Sequence, residues 1–151
     1  MDRSHVINIL PKRLEEYMRE AEYDLKLDEI NIKEKALLRS SLGCKWTRYL
    51  FEEERYKKTL LNQIDILKDQ IKQKLFVSQQ NAITTQSSAA EKLISISLEK
   101  ALIVDPTYKK LKEALNAQDD IIRLINEIQK QISMFGYDLT NAREILKLEQ
   151  I

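Results

Sequence analysis

The chain has 151 residues, of which 43% are hydrophobic and 32% are charged, and its formal net charge is +1. This length suits a single domain, and only two glycines and two prolines are present to form turns, which argues against an all-β fold. One histidine and one cysteine exclude a histidine-based triad, a His/Cys metal cluster and an intramolecular disulfide. We therefore expect a single all-α domain, residues 1–151, with no enzymatic activity, no metal and no cofactor.

The N-terminal segment, residues 1–43, is predicted to hold short helices. Pro11 suits the first turn of a helix, and apolar residues at helical spacing predict a helix over 12–23. Apolar and polar residues then alternate over 25–32, which admits a short extended stretch. A second short helix is expected over 33–40, and Ser40-Ser41-Leu42-Gly43 is expected to break it before the next helix begins.

The next segment, residues 44–76, is predicted to be one long amphipathic helix that packs along its whole length against other helices. Its apolar residues recur every three or four positions, and Glu53 alone interrupts them. Cys44 at its start is expected to be a small buried hydrophobe rather than a nucleophile. The apolar stripe consists of Trp46, Tyr49, Tyr56, Leu60, Ile64, Leu67, Ile71 and Leu75.

The polar face of this long helix is basic. Residues 45–75 hold eight Lys/Arg and five Asp/Glu, whereas residues 1–30 have a net charge of −3 and residues 91–151 a net charge of −1. Cations aligned along a helix follow a phosphate backbone, and each contact adds salt-dependent affinity; a merely solubilising face is the alternative. Trp46, Tyr49 and Tyr56 are candidates for stacking on unpaired bases, although core or interface packing is favoured for them. The candidate nucleic-acid-binding residues are Lys45, Arg48, Arg55, Lys57, Lys58, Lys68, Lys72 and Lys74.

Residues 77–88 are mostly polar and contain no charged residue, and they are predicted to form a loop that precedes the C-terminal helices of residues 89–151. The first of these helices is expected to reach Val104. Asp105 is then placed to be the N-cap of the next helix, with Pro106 at its first position.

The last long helix is predicted over 107–135, with Gly136 as its terminator and a final short helix over 141–149. Two long apolar stripes in a short chain predict an elongated helical hairpin or bundle that keeps apolar surface for copies of itself. Gln118, within the second stripe, is expected to help set the register. The residues assigned to oligomerisation are Leu111, Leu115, Ile122, Ile125, Ile128 and Ile132.

Short motifs in a fixed order resemble a known family. Those in the first half are Asp24-Leu25-Lys26-Leu27-Asp28, Leu37-Leu38 and Lys45-Trp46. Those in the second half are Lys100, Asp105, Tyr108, Ser133-Met134-Phe135-Gly136-Tyr137, Asn141 and Glu144. Their order and spacing, over roughly residues 23 to 149, resemble the UvsY-like recombination mediators of tailed phages.

The resemblance implies a non-enzymatic mediator of homologous recombination. Such a protein would bind single-stranded DNA as a ring-shaped homo-oligomer, help displace the single-strand-binding protein and load a RecA-like recombinase. The family's DNA-binding Lys and Arg, late in the long helix, fall on Lys68 and Ile71 here, so only the lysine matches and Lys72 or Lys74 substitutes for the arginine. The family's oligomerising C-terminal part maps to 107–149.

Other functions remain open at this point. A coiled-coil scaffold or assembly chaperone with no DNA role is the main alternative, and an adaptor for one protein partner is another. No window approaches the length of a transmembrane helix, so we expect a cytoplasmic protein with no membrane association, in the host cytoplasm if a phage encodes it.

Overall fold

A computed structural model of the protein describes residues 3–26, 32–80 and 88–149. Within these residues the chain forms helices and no strand, which confirms the all-α prediction. The predicted extended stretch at 25–32 and the predicted loop at 77–88 lie largely outside the described residues. The helices are α1 (Arg3–Leu25), α2 (Ile32–Gln80), α3 (Ser88–Val104) and α4 (Pro106–Glu149).

Helix α1 begins earlier than the sequence pattern indicates. It starts at Arg3, so Pro11 lies inside the helix rather than in its first turn, and the predicted start is wrong. A proline in a helix interior removes one backbone hydrogen bond and crowds the carbonyl four residues before it. Its fixed φ of about −65° is nevertheless helical, so the backbone continues through Pro11 at that cost.

Helix α2 is continuous from Ile32 to Gln80, so the predicted break over residues 40–43 is wrong and the predicted loop at 77–88 begins too early. Glycine in a helix interior costs roughly 1 kcal/mol relative to alanine. Leu42 and Trp46, on either side of Gly43, are both buried. Burying such side chains is worth about 1.5–3 kcal/mol each, which outweighs the cost of the glycine.

Asp105 separates α3 from α4, as the sequence predicts. Its Oδ1 accepts a hydrogen bond from the backbone N–H of Tyr108 at 2.8 Å, and Pro106 is the first residue of α4. The aspartate therefore caps the helix, and proline fills a position where no backbone donor is needed.

Helix α4 continues past Gly136 to Glu149, so its predicted end at Phe135 is wrong and the predicted final helix is its last part. Glycine terminates a helix by adopting the left-handed conformation. None of the glycines in the described part of the chain has a positive φ. Ile132 and Phe135 are buried just before Gly136, and this packing holds the chain in helical geometry.

The helices form two compact units. Unit 1 consists of Met1–Arg55 with Gln118–Ile151, and unit 2 consists of Tyr56–Ala117. Unit 1 thus combines α1 with the first part of α2 and the last part of α4. Unit 2 combines the rest of α2 with α3 and the start of α4.

Unit 1 has a well-defined apolar core to which all three of its helices contribute. Trp46 and Ile125 are completely buried, and the core is continued by Ala21, Leu42, Ile121, Ile128, Ile132 and Phe135. Side-chain hydrogen bonds also join α2 to α4, including the following two. Arg39 donates to the carbonyl of Ser133 at 2.8 Å, and Gln129 donates to the hydroxyl of Thr47 at 2.9 Å.

Unit 2 has a smaller core and exposes more of its large apolar residues. Its buried apolar side chains are Leu60, Ile64, Leu102, Leu111, Ala114 and Leu115. Its exposed ones come from all of its segments except the start of α4: Tyr56, Leu61, Ile66, Phe76, Val77, Leu93, Ile96, Ile103 and Val104.

Candidate nucleic-acid interface

The basic residues predicted on α2 divide between the two units. Lys45, Arg48 and Arg55 belong to unit 1, whereas the other five belong to unit 2. The unit 2 residues are Lys57, Lys58, Lys68, Lys72 and Lys74. This division matters because the two groups have different surroundings.

Lys45 contributes to the fold of unit 1. Its Nζ lies 2.7 Å from Oδ2 of Asp24 and 2.5 Å from Oε1 of Glu20, both on α1. Burial alone would lower the pKa of Lys45, but the hydrogen bonds to Asp24 and Glu20 outweigh it and raise that pKa. A cation held between two carboxylates is not available to a phosphate backbone, so Lys45 fits a structural role better than the predicted binding role.

The aromatic residues near Lys45 belong to the same contact between α1 and α2. Trp46 is completely buried, and its Nε1–H donates to Asp24 Oδ2 at 2.9 Å. The ring of Tyr49 meets that of Trp46 edge-on at 5.4 Å, and Tyr17 from α1 lies 5.2 Å from Tyr49. Core packing, the favoured explanation for Trp46, is therefore confirmed, and this ring cannot stack on a base.

Glu53, the residue that interrupts the apolar stripe, lies at the centre of a second polar cluster. The carboxylate is completely buried, forms an ion pair with Arg13 and accepts a hydrogen bond from Tyr17 at 2.8 Å. Gln118 is also completely buried, and its Nε2 donates to the Glu53 carbonyl at 2.9 Å and to Oε2 at 2.5 Å. Glu53 therefore joins all three helices of unit 1. The placement of Gln118 in the seam is confirmed, and its role in register stays a prediction.

Four of the five lysines of α2 in unit 2 have no such carboxylate partner among the described residues. Lys58, Lys72 and Lys74 are exposed, and Lys68 is half-buried. None of these four forms an ion pair within the described part of the chain, unlike Lys45 and Arg13 in unit 1. Their ammonium groups face solvent on a helix that carries Asp65 and Asp69 as its only carboxylates between residues 56 and 80. These side chains are therefore accessible to an external anion.

Five further lysines of unit 2 were missed by the sequence analysis. All are exposed, and they come from α3 and from the first turns of α4: Lys92, Lys100, Lys109, Lys110 and Lys112. The net charge of residues 91–151 does not reveal these lysines, because that range also includes the acidic residues of the later part of α4. The lysines at the start of α4 belong to unit 2, whereas the acidic residues later in α4 belong to unit 1, and the boundary between the units lies between Ala117 and Gln118.

The charge of the chain is thus segregated by unit. Unit 2 contains ten lysines and six acidic residues, a net charge of +4. Unit 1 contains the remaining fifteen basic and eighteen acidic residues, a net charge of −3, and the two values add to the +1 of the whole chain. The electrostatic footprint expected of a polyanion-binding surface therefore lies on unit 2 rather than along α2 as a whole.

The residues assigned to oligomerisation are mostly buried within their own units. Leu111, Leu115, Ile125, Ile128 and Ile132 are buried, and Ile122 is half-buried. Their apolar character is accounted for inside one chain, so their contribution to contacts between copies stays a prediction. Cys44 is exposed, so its predicted burial is wrong.

No protein-family model, no curated protein and no solved structure matches this chain. Among the described residues, no group of three His, Cys, Asp or Glu side chains is arranged to hold a metal ion. None of the helices in the described ranges is long and apolar enough to cross a membrane. The chemistry of its own side chains is therefore the evidence for what the candidate interface binds.

Proposed function

We propose that this protein is a non-enzymatic recombination mediator that binds single-stranded DNA as a homo-oligomer. It helps load a RecA-like recombinase in place of the single-strand-binding protein. The observation that supports DNA binding most is the set of accessible lysines on unit 2, with a net charge of +4. The resemblance of the motif order to UvsY-like mediators supports the narrower role in recombination.

Single-stranded DNA is the polyanion we favour, for two reasons. The lysines of unit 2 are spread over three helical segments rather than gathered around one pocket, which suits a flexible strand better than a compact anion. The part of α2 in unit 2 is 25 residues long and therefore spans roughly 37 Å, long enough to follow several phosphates. Each lysine adds modest, salt-dependent affinity, and association of several copies multiplies it.

The direct test is a titration of a fluorescent single-stranded oligonucleotide by fluorescence anisotropy at low and at physiological salt. We expect binding that weakens as salt rises and that weakens further in the Lys68→Ala/Lys72→Ala variant. Lack of binding at low salt would reject the DNA role and favour the scaffold or assembly-chaperone alternative. Salt-sensitive binding that is unchanged in the variant would place the interface elsewhere on the chain.

The mediator role needs its own assay. Single-stranded DNA coated with its binding protein is mixed with a RecA-like recombinase and ATP, and filament assembly is followed with and without this protein. We expect the protein to shorten the lag before assembly, and the Lys68→Ala/Lys72→Ala variant to shorten it less. A DNA-binding protein that leaves the lag unchanged would retain the DNA role but lose the role in loading.

A further inference from the structure

Helix α3 has apolar side chains on two of its faces. Leu102 is buried against the rest of unit 2, and Ile94, Leu98 and Ala101 beside it are half-buried. On the other side, four large apolar residues stay open to solvent, with exposed fractions between 51% and 78%: Leu93, Ile96, Ile103 and Val104. We call these four residues the α3 ridge. A helix that is apolar on both sides normally packs against other helices on both sides. Among the described residues, no helix covers the α3 ridge.

An open apolar groove lies on the first part of α2, in unit 1. It has a volume of about 440 Å³, and its lining residues are spaced three or four apart on one helix face: Ser40, Gly43, Cys44, Thr47, Arg48 and Phe51. Phe51 and Leu37, at its two ends, are 61% and 85% exposed. No atom lies within 4 Å of the place where a Cβ on Gly43 would be. We call this surface the α2 groove.

The ridge and the groove match in length. The α3 ridge extends over eleven residue steps, from Leu93 to Val104, and the α2 groove extends over eleven steps, from Ser40 to Phe51. At 1.5 Å per residue both are roughly 17 Å long. The side chains that line the middle of the groove are small, so a ridge of branched apolar side chains is able to approach the helix closely.

Charge favours contact between a ridge and a groove over contact between two ridges or two grooves. The ridge belongs to unit 2, with a net charge of +4, and the groove belongs to unit 1, with a net charge of −3. Lys100 is exposed within the ridge. Beside Phe51 the exposed carboxylates of Glu52 and Glu54 outnumber Arg48, the one cation in the lining of the groove. Pairing like surfaces would oppose charges of the same sign, which costs association free energy.

We propose that the α3 ridge of one copy docks in the α2 groove of a second copy. The first copy then keeps an unused groove and the second an unused ridge, so the contact is heterologous and adds further copies until a ring closes. This inference rests on the self-association in the proposed function and is independent of DNA binding. It assigns self-association to surfaces that are open to solvent, rather than to the α4 stripe predicted from sequence.

Two variants remove the two surfaces separately. Gly43→Leu places a branched apolar side chain in the groove, and the first carbon of that side chain has open space around it. Ile96→Glu/Ile103→Glu places charge on the ridge at exposed positions. Ser95→Glu, exposed on α3 but away from the ridge, is the matched control. Circular dichroism melts establish that each variant is folded.

The measurement is the mass in solution, by light scattering after size exclusion, over a range of protein concentrations without DNA. We expect the wild type and Ser95→Glu to reach multiples of the 17.8 kDa chain mass, and each of the other two variants to stay at that mass. A monomeric wild type, or variants that assemble like the wild type, would overturn the proposal, whatever the result of the DNA titration.

Mixing the two defective variants gives the sharper result. The groove-filled variant still has a ridge, and the ridge-charged variant still has a groove, so an equimolar mixture should form a 1:1 complex of twice the chain mass that grows no further. A mixture that stays monomeric would overturn the heterologous contact, because the intact ridge of one variant would then not bind the intact groove of the other.

Discussion

Unit 1 and unit 2 use charged side chains in opposite ways. In unit 1 the carboxylates of Glu53 and Asp24 are buried, and cations and hydrogen-bond donors from other helices surround them. In unit 2 Lys68 and Lys72 belong to the same long helix as Lys45, yet have no carboxylate partner within the described residues. The comparison shows that a lysine of α2 stabilises the fold where a neighbouring helix places a carboxylate beside it. It remains accessible to an anion where no such carboxylate is close.

The largest effect should come from the buried charge of unit 1. Replacing Glu53 by alanine removes the carboxylate that pairs with Arg13 and accepts hydrogen bonds from Tyr17 and Gln118, although Gln118 keeps its bond to the backbone carbonyl of residue 53. Breaking such a buried pair costs about 3–5 kcal/mol of unfolding free energy, measured by urea denaturation. The neighbouring Glu54 is exposed, so Glu54→Ala should change the stability by less than about 0.5 kcal/mol. Equal effects of the two substitutions would remove the contrast between buried and exposed charge.

Asp24 should have the next largest effect. Its Oδ2 accepts hydrogen bonds from Lys45 and from the buried indole of Trp46, so Asp24→Ala leaves the indole N–H unsatisfied, whereas Lys45 keeps its ion pair with Glu20. We expect a loss of about 1–3 kcal/mol in unfolding free energy. The salt dependence of DNA binding should stay as in the wild type, because Lys45 is assigned to the fold. A marked change in that dependence would return Lys45 to the interface.

Gly43 offers a smaller change of opposite sign. Because Gly43 lies inside α2 with open space above it, Gly43→Ala adds a methyl group that meets no other atom. The substitution should raise the unfolding free energy by roughly 0.5–1 kcal/mol, through the lower conformational entropy of the unfolded chain. A lower melting temperature in the variant would mean that α2 is interrupted at this position, as the sequence pattern indicates.

The smallest effect is expected from alkaline pH. Burial and the hydrogen bond to Glu53 raise the pKa of Tyr17, and the carboxylates of Asp24 and Glu20 raise the pKa of Lys45. Both groups therefore keep their protons in the folded state where the unfolded chain loses them, so stability is full below about pH 10 and falls above it. Urea midpoints at pH 9 and pH 10.5 measure this fall, and Tyr17→Phe should reduce it. A midpoint that rises over this range would contradict the sign.

Local pattern predicted the helices but not where they end. The cap formed by Asp105 is a contact between near neighbours in sequence, and it was predicted correctly. Gly43, Gly136 and Pro11 are also local signals, yet helices continue through all three. Around the two glycines the deciding free energy comes from burial of residues such as Trp46 and Phe135 against other helices, which a local pattern does not contain.

The candidate site was predicted only in part for the same reason. Spacing on one helix predicted a single basic face with both Lys45 and Lys68, whereas the structure places the two lysines in different units with different surroundings. The partner that engages Lys45 is Asp24, 21 residues earlier on another helix, so only the fold reveals the contact. The lysines at the start of α4 were missed because their unit ends at Ala117, where nothing in the local sequence marks a boundary.

The central claim is that the cations of unit 2 bind the DNA and those of unit 1 do not. Its most direct test is the slope of log affinity for a single-stranded oligonucleotide against log salt concentration. Three triple alanine variants are compared, two in unit 2 and one at cations of unit 1 that form ion pairs. They replace Lys68, Lys72 and Lys74; Lys109, Lys110 and Lys112; and Arg19, Arg123 and Lys130.

Each lost phosphate contact lowers this slope by about 0.7 for a single strand, so we expect each unit 2 variant to lower it by about 2. The unit 1 variant should keep the slope of the wild type, since its cations already pair with Glu15, Asp120 and Glu127. The same loss of slope in all three variants, or loss in the unit 1 variant alone, would contradict the assignment of the interface to unit 2.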